Sequence, residues 1–172
     1  DVIRKRAADF GCDCHVVDDN TFELIQNTYG YIDFLIHNEY YKNDCFRLST
    51  NALYQMENAS IALTVCANLC DRGMIKLDNK AVSMAMYDTH WAGRMELLRD
   101  NLYVDGAHNP QGIQSFVDSV NSLYENSRLD KATLLFSVVS DKNYDRMIKI
   151  LCSCKHFRQI CYNIGRCQKA SS

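Results

Sequence analysis

The segment LYVDGAHNPQG, residues 102–112, sets an aspartate and a histidine between a short apolar run and a proline. Asn109 is a good helix N-cap and Pro110 a good first helical residue, so the segment predicts a strand that turns into a helix. Neither role explains Asp105 or His108. Ligands of open parallel sheets bind beyond the carboxyl ends of strands, and helix N-termini favour anions. Both side chains are therefore candidate ligand contacts, with an ordinary hydrogen bond at the junction as the alternative for His108.

Two other segments carry side chains suited to a nucleotide. In YQMENASIAL, residues 54–63, the carboxamide of Asn58 offers one acceptor and two donors, which suits the edge of an adenine ring. In WAGRMELL, residues 91–98, the guanidinium of Arg94 suits phosphate or ribose oxygens. Structural roles stay open for both: Asn58 as a solvated or capping side chain, and Arg94 in a surface ion pair with Glu96.

The second half of the sequence alternates strand-like and helix-like patterns. Apolar runs of strand length are separated by stretches with the 3.6-residue helical period. That order predicts an α/β unit with a parallel sheet and right-handed crossovers, and the continuously apolar strands indicate a sheet covered on both faces. Strands are expected at 102–105, 133–139 and 158–164, and helices around 113–123 and 147–151.

The first half predicts short strands followed by a long helix. An apolar stripe with steps of three and four predicts that this helix runs to Gly73, with its N-cap among Ser49, Thr50 and Asn51. The pattern changes near residue 89, so we expect two units, 1–89 and 90–172. The other expected elements are a helix at 2–10 ended by Gly11, strands at 14–17, 21–25, 31–36 and 46–50, and a helix at 79–87.

Composition excludes several classes of protein. The chain has 172 residues, of which 47% are hydrophobic, so a packed core is expected rather than disorder. The net charge of −2 offers no basic excess for a nucleic-acid backbone. No apolar stretch approaches the roughly 18 residues of a membrane span, and no signal peptide is visible. The sequence begins at Asp1 rather than Met, as a piece of a longer protein would.

The nine cysteines do not follow the pattern of a disulfide framework, because their number is odd and their spacing irregular. Several fall in apolar helix or strand patterns, where cysteine acts as a small hydrophobe. Ordinary thiols in a reducing cytoplasm are the expected state. A zinc site at Cys152, Cys154 and His156 is the alternative, although no second ligand pair stands at the usual spacing.

Four motifs in order resemble the folylpolyglutamate synthases, within the Mur ligase superfamily of ATP-dependent amide ligases. They are Tyr-Gln-x-x-Asn-x-x-x-Ala from Tyr54, Trp-Ala-Gly-Arg-x-Glu from Trp91, Asp-Gly-Ala-His-Asn-Pro from Asp105, and Asp-Lys at 141–142. The resemblance spans nearly the whole chain and is clearest over 48–150. Ala92 stands where the family usually has proline, which loosens the interdomain linker.

The resemblance implies a fold and a set of roles. Residues 1–89 look like the end of the family's central ATPase domain, and 90–172 like an incomplete Rossmann-like C-terminal domain, with ATP between the two. Asn58, Arg94 and Asp105 match family residues that contact the nucleotide. His108 matches the histidine placed near the phosphates and is assigned a supporting catalytic role. The Mg²⁺ ligands and the family's modified lysine are expected outside this chain.

The implied activity is the addition of glutamate to folate, with ATP as the energy source. ATP would phosphorylate a folate or dihydropteroate carboxylate, and the amino group of L-glutamate would attack the acyl phosphate. No Gly-x-x-x-x-Gly-Lys-Ser/Thr loop occurs in these residues, so the chain alone is expected to be inactive. A cytoplasmic monomer is expected. The alternatives are a non-catalytic nucleotide-binding or interaction module of the same fold, and a thiol-rich metal or redox protein.

Overall fold

The computed structural model describes residues 2–127 and 129–165, which form a mixed α/β structure of five helices and seven strands. In chain order the elements are α1 (Val2–Asp9), β1 (Phe22–Thr28), β2 (Tyr31–Ile36), β3 (Cys45–Leu48), α2 (Tyr54–Asp71), α3 (Asn79–Asp88), β4 (Glu96–Arg99), β5 (Leu102–Val104), α4 (Pro110–Asn126), β6 (Ala132–Val139), α5 (Tyr144–Ser153) and β7 (Phe157–Gly165). Within these residues no helix combines the length and the apolar character that crossing a membrane requires.

The first part of the chain is an antiparallel sheet covered by two helices. Strands β1, β2 and β3 lie in that order, and Gly30, with φ of 88°, makes the turn between the first two. The central strand β2 buries Ile32, Phe34 and Ile36 completely. These side chains form one core with α2, which contributes the fully buried Leu63, and with α3. The core fixes α2 across the sheet.

The second part packs helices against parallel strands. Strands β6 and β7 are parallel, with one register shift between Ala132 and Thr133, and α4 and α5 cover one face of the pair. Ile113 and Val117 of α4 and Met147 of α5 are 2% exposed or less. Ala52 and Tyr54, which precede residue 89, also pack into this second core. The beginning of α2 therefore contacts both parts of the chain.

The prediction of a parallel sheet with strands at 102–105, 133–139 and 158–164 is wrong for the first of these strands. Strand β5 pairs antiparallel with β4, a strand that the sequence patterns did not predict, and it belongs to a different sheet from β6 and β7. The cause is a tight turn at 100–101, where Asn101 adopts a positive φ of 63° and sends the chain back on itself. The pairing of β6 with β7 confirms the parallel part of the expectation.

Two local expectations in the first half are also wrong. Residues 14–17 form no strand, and this segment instead contacts α2 through hydrogen bonds of 2.8 Å from Asn68 to His15 and 3.0 Å from Arg72 to Asp13. The predicted N-cap of α2 is wrong as well, because Leu53 occupies that position without a side-chain cap. The other predicted elements are present within a few residues, while 166–172 lie outside the described residues.

Asn51 is buried completely and joins both parts of the chain. Its Oδ1 accepts hydrogen bonds from the Gly30 N–H and from the Tyr103 hydroxyl, each at 3.0 Å. Its Nδ2 donates to Asn27 Oδ1 at 2.6 Å and to the Thr28 carbonyl. The Asn51 side chain, predicted as a possible helix cap, thus holds the β1–β2 turn against β5.

Asn51→Ala is expected to lower the free energy of unfolding by about 3 kcal/mol, because each buried group left unpaired costs about 1–3 kcal/mol. Urea denaturation followed by circular dichroism measures the change. Asn126→Ala is the matched control, since Asn126 is exposed and, among residues 2–127 and 129–165, its side chain bonds only to the Ser122 carbonyl of its own helix. The control should shift stability by less than about 0.5 kcal/mol. Equal losses in the two variants would contradict the role of Asn51.

A cross-strand ion pair on the first sheet makes stability depend on pH. Arg47 donates to both oxygens of Asp33, at 2.6 and 2.7 Å, and its guanidinium lies 3.9 Å from the Tyr31 ring centre. The Arg47 hydrogen bonds lower the pKa of Asp33, with burial opposing and a hydrogen bond from Gln26 assisting. Since the folded pKa lies below the unfolded value of about 3.9, the stabilisation is present above about pH 4 and is lost as pH falls through the folded pKa.

Asp33→Asn is therefore expected to destabilise the chain at pH 7 more than at pH 3. Urea denaturation at the two pH values gives the difference in unfolding free energy at each. Asp118→Asn serves as the control, because Asp118 is exposed and, in the part of the chain that the structure describes, accepts only from Gln114 of the same helix. A penalty for Asp33→Asn that is the same at both pH values would show that the ion pair contributes nothing.

Candidate functional site

Asn58, Arg94 and Asp105 line one open cleft of about 400 Å³. Asn58 comes from the second turn of α2, Arg94 from the segment before β4, and Asp105 from the residue after β5. The first turns of α4 close another side of the cleft, and Trp91, 64% exposed, stands at its rim. The fold thus brings together three side chains that are distant in sequence.

Asp105 is held by three hydrogen bonds from three separate segments. Its Oδ1 accepts from the Ala107 N–H at 2.8 Å. Its Oδ2 accepts from the Met95 N–H at 3.0 Å and from the Tyr54 hydroxyl at 2.8 Å. A carboxylate has about four acceptor positions, so about one remains, on Oδ1. Asp105 is therefore both a structural junction and a group that can still accept a hydrogen bond from a ligand.

The backbone around Arg94 is tied to its surroundings on both sides. The Arg94 carbonyl accepts from the Thr50 hydroxyl at 3.0 Å. The Gly93 N–H donates to Glu96 Oε2 at 2.7 Å, so the Glu96 side chain closes this turn. A Cβ added to Gly106 would lie 3.6 Å from Arg94 Nη1, which places the guanidinium directly beside the DGAHNP loop. This geometry leaves the guanidinium in the cleft.

Asn58 is exposed, and its Nδ2 donates to Gln55 Oε1 at 2.9 Å on the same helix. It lies four residues after Tyr54, so both side chains project from the same face of α2. That face points into the cleft, where both residues are part of the lining. The carboxamide oxygen and the second amide hydrogen of Asn58 remain able to meet a ligand.

His108 lies beside the cleft and is not part of its lining. The imidazole is exposed, and its Nδ1 is 2.9 Å from the Gly106 carbonyl. The next residues start α4 as the sequence predicts, because Asn109 Oδ1 accepts from the Gly112 N–H at 2.8 Å and Pro110 is the first helical residue. The structure therefore separates His108 from the three residues that share the cleft.

Tyr54 and Trp91 were not singled out from the sequence, although both line the cleft. Burial and the neighbouring Asp105 carboxylate raise the pKa of Tyr54, while the Arg94 guanidinium opposes the rise. The hydroxyl consequently stays protonated at neutral pH and acts as a donor. The signal available in the sequence was the four-residue spacing between Tyr54 and Asn58, which puts them on one helix face.

The remaining polar motifs lie elsewhere. Asp141 and Lys142 occupy an exposed turn after β6 and are not among the residues that line the cleft. Cys154 is buried with its Sγ 3.5 Å from Asn121 Oδ1, and the His156 ring stacks on Tyr124 at 4.4 Å. Across residues 2–127 and 129–165, no three histidine, cysteine, aspartate or glutamate side chains are grouped to hold a metal ion.

Comparison with known proteins gives a consistent set of relatives, although no family model matches the chain. The sequence is 29% identical over 112 residues to the dihydrofolate synthase/folylpolyglutamate synthase of Bacillus subtilis (strain 168), which covers 64% of this chain and 25% of that protein. It is 26% identical over 96 residues to the folylpolyglutamate synthase of Lacticaseibacillus casei, which covers 55% of this chain and 22% of that protein.

Solved structures of folylpolyglutamate synthases share the fold of this chain. The folylpolyglutamate synthase of Thermotoga maritima superposes with a TM-score of 0.70 at 23% identity, covering 94% of this chain and 37% of that one. The enzyme of Mycobacterium tuberculosis, solved with ADP and AMPPCP, gives a TM-score of 0.67 at 20% identity, covering 95% and 36%. The chain spans about a quarter of the length of the two sequence relatives. It is similar in sequence to folylpolyglutamate synthases, and it has their α/β fold.

Proposed function

We propose that this chain is the nucleotide-facing part of an ATP-dependent ligase that joins L-glutamate to the carboxylate of a folate or a dihydropteroate. One observation carries the proposal: an amide, a guanidinium and a carboxylate from three separate segments line the same cleft. Packing alone does not require these three types of side chain at one opening. The similarity to folylpolyglutamate synthases supports ATP as the ligand and glutamate addition as the reaction.

The chemistry of the cleft fits ATP. The Asn58 carboxamide suits the edge of adenine, and the Arg94 fork suits phosphate or ribose oxygens. The remaining acceptor position on Asp105 Oδ1 suits a ribose hydroxyl or a metal-bound water. The volume of about 400 Å³ is within the usual range for ligand sites, and its openness suits a nucleotide that is covered on its other side by further protein.

The proposed reaction has two steps. A folate carboxylate oxygen attacks the γ-phosphorus of ATP, which forms an acyl phosphate and releases ADP. The glutamate amine then attacks the acyl carbon, so that an amide bond forms, phosphate leaves with the electron pair, and the amine loses a proton. In this scheme Asn58, Arg94 and Asp105 hold the nucleotide, while His108, beside the N-terminus of α4, meets negative charge near the phosphates.

The ligands of magnesium are proposed to lie outside this chain, as the resemblance to the family implies. We propose that residues 1–89 and 90–172 belong to two domains with ATP between them. A monomer in the cytoplasm completes the proposal. The free thiols of the eight described cysteines suit that compartment.

ATP is expected to change the fluorescence of Trp91, the one tryptophan of the chain, because its indole lines the cleft. Titration with Mg-ATP, excited where adenine does not absorb, gives a dissociation constant. Arg94→Ala should raise that constant by about tenfold or more, since a hydrogen bond from a charged group contributes about 1.5–3 kcal/mol.

Arg99→Ala is the control, because Arg99 is exposed at the end of β4 and is not among the residues that line the cleft. It should bind ATP within about twofold of the unchanged chain, a difference of only about 0.4 kcal/mol. Saturating ATP that leaves the emission of Trp91 unaltered would count against the proposed function.

The chain alone should release no ADP above background when supplied with ATP, magnesium, L-glutamate and a reduced folate. The reason is that residues 1–172 contain no phosphate-binding loop of the Gly-x-x-x-x-Gly-Lys-Ser/Thr type. A coupled assay of ADP measures the rate, with the Bacillus subtilis relative assayed in parallel as a positive control. Robust turnover by this chain would refute the prediction.

A further inference from the structure

Tyr54 lines the cleft, and the proposed roles leave it unassigned. It is the first residue of α2, and its ring packs against the second core. Its hydroxyl donates to Asp105 Oδ2 at 2.8 Å. The guanidinium of Arg94 is near enough to act on the same hydroxyl. One phenol therefore bonds to one of the three side chains proposed to hold the nucleotide and lies near a second.

The three donors to Asp105 differ in what they attach the carboxylate to. Ala107 is two residues further along the same loop, and Met95 precedes β4, the strand paired with β5. These two backbone groups fix Asp105 within its own hairpin and loop. Tyr54 belongs to α2, the helix that also carries Asn58, so its hydroxyl ties Asp105 to the helix with the third nucleotide contact.

We propose that Tyr54 is a positioning residue for the nucleotide: its hydroxyl holds the Asp105 carboxylate and the Arg94 guanidinium at a fixed spacing from Asn58 on α2. The inference rests on the proposed function and names a further determinant of the same site. It implies that the three contacts are arranged before ATP arrives, which reduces the ordering cost of binding.

The hydroxyl is suited to this task. Because it is neutral, it can donate to the carboxylate while its oxygen faces the guanidinium, without adding a charge to the cleft. Burial and the nearby carboxylate keep it protonated through the physiological range. The backbone bonds from Thr50 to Arg94 and from Leu53 to Ser119 hold the same segments together, yet neither engages a side chain of Asp105 or Arg94.

The test compares Tyr54→Phe with Tyr103→Phe. Tyr103 is a matched control, because it is also half-buried and its hydroxyl also joins the two parts of the chain, through Asn51 Oδ1 at 3.0 Å. Tyr103 is not among the residues that line the cleft. Each variant loses one hydroxyl hydrogen bond between the same two parts, so the two should lower the melting temperature by similar amounts.

The binding constants should differ. Measured by Trp91 fluorescence with Mg-ATP, Tyr54→Phe is expected to weaken binding at least fivefold, while Tyr103→Phe stays within twofold of the unchanged chain. In an Arg94→Ala background, Tyr54→Phe should have a smaller effect than it has alone, because part of what it positions is then absent. That non-additivity is a readout that a purely structural role would not produce.

The outcomes separate the two proposals. If the unchanged chain binds ATP and Tyr54→Phe binds as tightly as Tyr103→Phe, the positioning role is overturned and the proposed function stands. If the unchanged chain shows no ATP-dependent change, both are overturned. If Tyr54→Phe does not fold, p-aminophenylalanine and p-methylphenylalanine at position 54 replace it, since both fill the space of the hydroxyl and only the amino group donates. The amino analogue must then bind ATP at least fivefold more tightly than the methyl analogue.

Discussion

The segment 50–54 joins the two parts of this chain, because four of its residues form hydrogen bonds to residues beyond 90. Two of these bonds satisfy backbone groups and two join side chains, so the crossing is fixed in both position and orientation. These bonds hold the start of α2 against the β4–β5 hairpin and α4. The bonds join Thr50 to the Arg94 carbonyl, Asn51 to Tyr103, Leu53 to Ser119, and Tyr54 to Asp105.

At this contact between the two parts of the chain, α2 begins without a side-chain cap. The first N–H groups of a helix need acceptors, and local side chains usually supply them. Here the Leu53 N–H donates to the Ser119 hydroxyl of α4 at 3.0 Å. Asn51, which could have capped the helix, instead forms hydrogen bonds with the β1–β2 turn and with β5. The N–H groups of Gln55 and Met56, which a capping side chain would satisfy, donate instead to the Ala52 and Leu53 carbonyls at 3.0 Å.

The predictions that succeeded depend on local physics. Asn109 and Pro110 start α4 as expected, because capping and a fixed φ act within one turn. The parallel pairing of β6 and β7 followed from the strand–helix–strand order. The antiparallel β5 was not predicted, since its partner β4 is four residues long and only the turn at Asn101 signals the hairpin. Long-range pairing of short strands leaves little trace in the sequence.

In the candidate site, too, the sequence predicts some features and not the long-range contacts. The side chains of Asn58, Arg94 and Asp105 could be selected from the sequence by their chemistry and by the resemblance. The contacts that hold these side chains could not be predicted, because the bond from Tyr54 to Asp105 spans 51 positions in the chain. His108 was selected by the same reasoning, yet the chain turns its ring towards the Gly106 carbonyl, outside the lining of the cleft.

Asp105 shows that the structural and the functional explanations of the DGAHNP loop are not alternatives. Three donors from separate segments leave the carboxylate about one acceptor position, so its rotation is restricted before any ligand binds. Gly106, with the guanidinium of Arg94 3.6 Å from where a Cβ would be, keeps the loop close enough for both side chains to face the same opening. A loop that only connected a strand to a helix would need Asn109 and Pro110 but not this convergence. The bonds that make Asp105 part of the fold therefore leave it, with restricted rotation, about one acceptor position in the wall of the cleft.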